Sequence, residues 1–144
     1  YKFEGNNAFL MQEVIELHEQ FYKERPRMDE ANSIDFLILR MLSEAQEALE
    51  EPPEYLTKEQ YLLQELADVF LFVLASFRAL NNREDGDLLK FMSSVITMKL
   101  QRNMLKYPAE LFQNGTPFDE AIKISKEKWG DSDVQFYQTV FTDQ

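Results

Sequence analysis

The chain has 144 residues, 44% of them hydrophobic with 12 Phe and 6 Tyr, which is enough for one globular domain with a real core and excludes an intrinsically disordered segment. A net charge of −11 argues against a phosphate-contacting nucleic-acid surface, and the absence of cysteine excludes disulfides and thiolate metal sites and suits a reducing, cytoplasmic location. No uncharged apolar run approaches membrane-spanning length and no signal peptide is visible; YKFEGNN at the start reads as the remnant of an N-terminal arm.

In chain order, residues 7 to 24 read as a first helix. Leu10, Val14, Leu17 and Phe21 form one apolar stripe, and Met11, Ile15, His18 and Tyr22 a second beside it. Pro26 closes it. Residues 32 to 50 read as a second helix ended by Pro52-Pro53. Thr57 is placed to N-cap a third, with Gln60 at the capping-box position. That helix runs to about residue 80, is apolar nearly all round after Leu66, and is expected to be central and buried. After a turn at 81–87, a fourth helix spans about 87 to 106 and stops before Pro108. Asn114-Gly115 is a turn, and Thr116 is expected to cap a short helix ending near Trp129-Gly130, with a last short helix or docking tail after it, its apolar face drawn from Val134, Tyr137, Val140 and Phe141. No strand pattern appears. The expected fold is all-α, a four-helix-bundle core with one or two short C-terminal helices, in a single domain over residues 1–144 with its core at about 8–110 and an extension at about 111–144.

Two pairs of acids carry the chemistry. Glu44 and Glu47 lie three apart on the second helix, and Glu65 and Asp68 three apart on the third. Each pair therefore shares a helix face. With 26 acids in the chain this spacing recurs elsewhere, at Glu13/Glu16 for example. Surroundings separate the central four: LILRMLSEAQEAL and YLLQELADVFLFVLA are dense in apolar residues, whereas Glu13 and Glu16 lead on to Gln20 and a solvated face. Carboxylates about 5 Å apart repel by about 3 kcal/mol at an effective dielectric of about 20. A hard divalent cation, Mg²⁺ above all, relieves that repulsion through oxygen ligands. The plainer alternative is an acidic rim on a helical bundle.

The fourth helix carries the densest basic cluster. Lys99, Asn103 and Lys106 share a face, Arg102 is adjacent, and Tyr107-Pro108 follows. The helix dipole accounts for Arg102 and Lys106 near the C-terminus. It accounts less well for Lys99, which follows Leu88, Met92 and Val95 on an apolar stripe.

These residues together resemble the MazG-like all-α nucleoside triphosphate pyrophosphohydrolases, whose signature is ExxE, a variable spacer and ExxD on helices two and three. Here the motif stands as Glu44-Ala-Gln-Glu47 and Glu65-Leu-Ala-Asp68, the latter inside ELADV. KLQRNMLKYP, Lys99 to Pro108, is most similar to the dCTP pyrophosphatase branch, while RPRMDEANSID before helix two departs from it. The resemblance covers roughly residues 8 to 110. It implies hydrolysis of a nucleoside triphosphate between the α- and β-phosphates, with Glu44, Glu47, Glu65 and Asp68 as catalytic metal ligands for Mg²⁺ (Mn²⁺ as a substitute). It implies Lys99, Asn103, Lys106 and Tyr107 on the phosphates and nucleotide, and a base pocket drawn from His18, Phe21, Tyr22 and Phe72. Each of those four also reads as a core or rim residue, and Trp129 as a packing anchor for the tail. A homodimer or homotetramer with a nucleotide-pool house-cleaning role is implied. The alternatives are a phosphoribosyl-ATP pyrophosphohydrolase-like enzyme and a non-catalytic helical oligomerisation or regulatory module.

Overall fold

The computed structural model describes residues 10–26, 33–81, 87–113 and 115–142. The expected helical turns at 7–9 and 32, most of the turn at 82–86, Asn114 and the last two residues lie outside these. Among the described residues the protein is all-α, with no strand, and no helix is long and apolar enough to cross a membrane.

The elements are α1 (Met11–Lys23), α2 (Ile34–Glu47), α3 (Lys58–Leu80), α4 (Leu88–Lys106), α5 (Ala109–Gln113) and α6 (Phe118–Thr142). Local chemistry sets their starts. The Ser33 hydroxyl accepts from the Phe36 amide at 3.3 Å and opens α2. Thr57 and Gln60 form the expected capping box, with reciprocal bonds of 3.1 and 3.0 Å. Asp87 caps α4 through the Lys90 amide at 3.0 Å.

The chain divides into two compact units, residues 1–92 and 93–144. In the first, α2 packs along α3, and Ile15, Leu74, Leu88 and Met92 form a core flanked by Phe70, Phe77, Leu89 and Phe91. In the second, Arg102 of α4 and Ala121 and Ser125 of α6 are almost fully buried.

Two expectations are corrected. α3 is not buried all round: Leu66 is 60% exposed and Leu71 40%, because only one of its faces meets α1 and α2. The segment after Gly115 is not a pair of short helices. α6 runs unbroken through Gly130, because contacts before and after the glycine hold it helical: Trp129 packs on Arg102, and Asp133 pairs with Arg102 and Lys106. Gly115 itself has φ +74°, the left-handed turn its sequence position called for.

Candidate functional site

The acidic centre is built by the end of α2 and the second turn of α3. Leu37, fully buried in the first turn of α2, fixes the inward face of that helix. Glu44 and Glu47 follow on that side. Tyr61 of α3 donates its hydroxyl to the Glu47 carbonyl at 2.8 Å, tying the last turn of α2 to the first turn of α3. One turn on from Tyr61, Glu65 enters the same space. One carboxylate oxygen from each of Glu44, Glu47 and Glu65 lies within 4.8 Å of the other two. Glu65 is only 9% exposed, and its Oε2 is buried with no hydrogen-bond partner.

The electrostatics follow from this crowding. Burial, then the charge of Glu47 and a hydrogen bond shared with it, then Asp68 and Glu65, raise the Glu44 pKa from its ordinary 4.5 to about 7. The Tyr61 hydroxyl is likewise pushed up, first by burial and then by Glu65, Glu50, Glu47 and Glu44.

Asp68 does not join the trio. The three-residue step that separates it from Glu65 turns it about 60° around α3. It is exposed and lines an adjacent pocket of about 580 Å³ between α1, α2 and α3. The four carboxylates expected at one point are thus three at a centre and one on the neighbouring wall, near enough for its charge to act on Glu44.

That pocket gathers all four residues proposed for a base site. His18, Phe21 and Tyr22 come from α1 and Phe72 from α3, with Phe36 of α2 beside them and Val14, Leu17 and Leu71 completing an apolar wall. Both stripes of α1 are used: Ile15 and His18 are buried, while Val14, Leu17 and Phe21 face the opening. Sequence reasoning missed Arg40, whose guanidinium lies 5.2 Å from the Phe72 ring centre and 5.6 Å from Phe36. It stands four residues before Glu44, on the same face of α2, and that spacing was the available signal. It also missed Arg78, which contacts His18 Nδ1 and donates to the Ile15 carbonyl at 3.2 Å.

The basic face of α4 has partners within its own unit. Lys99 donates to the Tyr137 hydroxyl at 2.8 Å. Lys106 lies 3.7 Å from Asp133. Arg102, 1% exposed, is paired with Asp133 and packed by Trp129 and Phe136, with ring centres 5.3 and 5.6 Å away. Its burial makes it a residue of α4 that packs against α6, beyond what the helix dipole explains. Asn103 and Tyr107 are half-buried, Tyr107 against Phe112. Trp129 anchors the tail as expected. Compared with family models, curated proteins and solved structures, the chain matches none of them.

Proposed function

We propose that the protein is a Mg²⁺-dependent nucleoside triphosphate pyrophosphohydrolase that cleaves a (deoxy)nucleoside triphosphate to the monophosphate and pyrophosphate in nucleotide-pool house-cleaning, on a MazG-like four-helix scaffold. One observation carries the reading: a carboxylate trio opens beside an aromatic pocket, with Asp68 common to the surroundings of both. A metal-dependent phosphate centre next to a slot for a flat ring is the arrangement a nucleotide hydrolase needs.

The trio fits a hard divalent cation. Its oxygens are within reach of one ion, Glu65 Oε2 lacks any partner, and Glu44 is held near neutrality by repulsion that a cation would relieve. When bound, Mg²⁺ supplies phosphate neutralisation and lowers the pKa of a coordinated water. Glu44, Glu47 and Glu65 would hold the ion, with Asp68 on the neighbouring pocket wall adding its charge. A carboxylate left free of the ion would serve as proton acceptor. Phe21, Tyr22, Phe36 and Phe72 stack on the base and exclude water, and Arg40 meets a phosphate oxygen at the mouth. Lys99, Asn103, Lys106 and Tyr107 belong to the unit of residues 93–144, where Tyr137 and Asp133 already engage the two lysines.

A screen of pyrophosphate release over all dNTPs and NTPs with Mg²⁺ tests the reading. At least one substrate should give monophosphate plus pyrophosphate. Asp68→Ala and Glu47→Ala should lower that activity by about a hundredfold or more while the helical content is kept. Diphosphate plus orthophosphate as products, or near-wild-type Mg²⁺-dependent activity in Asp68→Ala, would overturn it.

A further inference from the structure

Glu47 and Glu65 stand on different helices, so the distance between their carboxylates depends on how α2 and α3 are joined. Hydrogen bonds build that joint. α2 ends in tight turns, with the Leu49 amide donating to the Gln46 carbonyl at 3.1 Å and the Glu50 amide to the Glu47 carbonyl at 3.0 Å. The Leu56 amide then donates to the Pro53 carbonyl at 3.0 Å, and Thr57 caps α3. Tyr61 closes the joint. Its hydroxyl donates to the same Glu47 carbonyl at 2.8 Å, in a half-buried setting. That carbonyl thus has one donor from its own helix end and one from the helix opposite.

Both ends of the Tyr61 bond lead to a carboxylate of the trio. At one end the bond holds the backbone of Glu47 itself. At the other, Glu65 follows Tyr61 by four residues, so the two share a face of α3, and a helical side chain leans back over the turn before it. Glu44 is linked to Glu47 in turn by a hydrogen bond between their side chains. One oxygen from each of the three acids lies within 4.8 Å of the other two. Cations differ in the span they accept. Mg²⁺ takes near-ideal octahedral ligands at about 2.0–2.1 Å, which sets two of its oxygens about 3–4 Å apart. Ca²⁺, with flexible geometry at about 2.3–2.6 Å, accepts oxygens up to about 5 Å apart. Slack of about 1 Å between α2 and α3 is enough to change which ion fits.

We propose that Tyr61 is a positioning residue: by fixing the Glu47–Glu65 spacing it keeps the carboxylate trio within the span that Mg²⁺ needs, and so sets the choice between Mg²⁺ and Ca²⁺. The proposal rests on the metal-dependent reading of the trio and deepens it. Tyr61 acts through Glu47 and Glu65, not as a ligand.

Tyr61→Phe removes only the hydroxyl, and the Glu47 carbonyl keeps the Glu50 amide, so the variant leaves no carbonyl unpaired and should stay folded. Thr57→Ala is the control, because it strips the cap from the same helix start without touching Glu47. Isothermal titration calorimetry of the full chain with Mg²⁺ and with Ca²⁺, in the absence of nucleotide, reads both affinities. Tyr61→Phe should weaken Mg²⁺ binding about tenfold and Ca²⁺ binding far less, shifting the ratio toward Ca²⁺. Thr57→Ala should lower the melting temperature by a few degrees and leave the ratio at its wild-type value. An equal loss of both ions in Tyr61→Phe, an unchanged ratio, or the same shift in Thr57→Ala overturns the proposal. So does a wild-type chain that binds neither ion. Pyrophosphate release from triphosphates is measured separately. If the ratio shifts in Tyr61→Phe alone and no triphosphate is hydrolysed, the positioning role holds and the pyrophosphohydrolase reading falls. If the ratio does not shift while the wild type hydrolyses triphosphates with Mg²⁺, the positioning role is wrong and that reading stands.

Discussion

Glu44 has its ionisation opposed by burial and by three neighbouring acids, which sets the sign of a stability effect. Its folded pKa of about 7 lies above the ordinary 4.5, so ionising it is harder in the folded chain than in the unfolded one. Below pH about 4.5 the group is protonated in both states and takes nothing from stability. Between about 4.5 and 7 the penalty grows, and above about 7 it is complete. Glu44→Gln in metal-free protein should therefore melt close to wild type at pH 4 and about 2–4 °C above it at pH 8. Mg²⁺ should remove or reverse that gain by stabilising only the wild type. Thermal melts at the two pH values, with and without Mg²⁺, check this, and an equal gain at both pH values would contradict it. At this scale the sequence showed which acids share a helix face, because that follows from 3.6 residues per turn. It did not show that Asp68 belongs to the pocket wall, because the crossing of α2 on α3 decides which turn of α3 meets Glu44. Arg78 was hidden for a related reason: sixty residues separate it from His18, and no local spacing reports such a contact.

Helix starts were the most legible elements. Thr57 with Gln60 follows a local rule, and the rule held. The reading of α6 failed where a local rule met tertiary contact. Gly130 costs a helix about 1 kcal/mol relative to Ala, a fair reason to end one there. Yet Trp129 and Asp133 on either side engage Arg102, and Tyr137 a turn later engages Lys99, so the helix continues. The glycine has no packing role in this: a Cβ built on it meets nothing within 4 Å, and its φ is not positive. Gly130→Ala should accordingly stabilise the protein by about 0.5–1 kcal/mol, measured by denaturant titration. Gly115→Ala, at φ +74°, should do the opposite by about 1 kcal/mol.

On the scale of the whole molecule, a large amount of apolar surface remains uncovered on the first unit. On α2, Ile38, Leu39 and Leu42 are 51%, 64% and 56% exposed, and Leu66 of α3 is 60% exposed. The sequence marked α3 as apolar all round but could not say what would cover it, since burial depends on partners outside the helix. Symmetric self-association is the commonest way to cover such faces. Light scattering at micromolar concentration should give a mass of two or four times 17.1 kDa. Each chain carries −11, so added salt should favour association, and Leu39→Glu should shift it toward monomer. A stable, active monomer would contradict the assembly. The lone tryptophan also divides the chain optically. Trp129 lies in the second unit and the first contains none, so indole emission follows residues 93–144 alone. Helical circular dichroism follows both units. Unfolding curves recorded by the two signals would coincide if the units melt together and separate if they do not, without any label being attached.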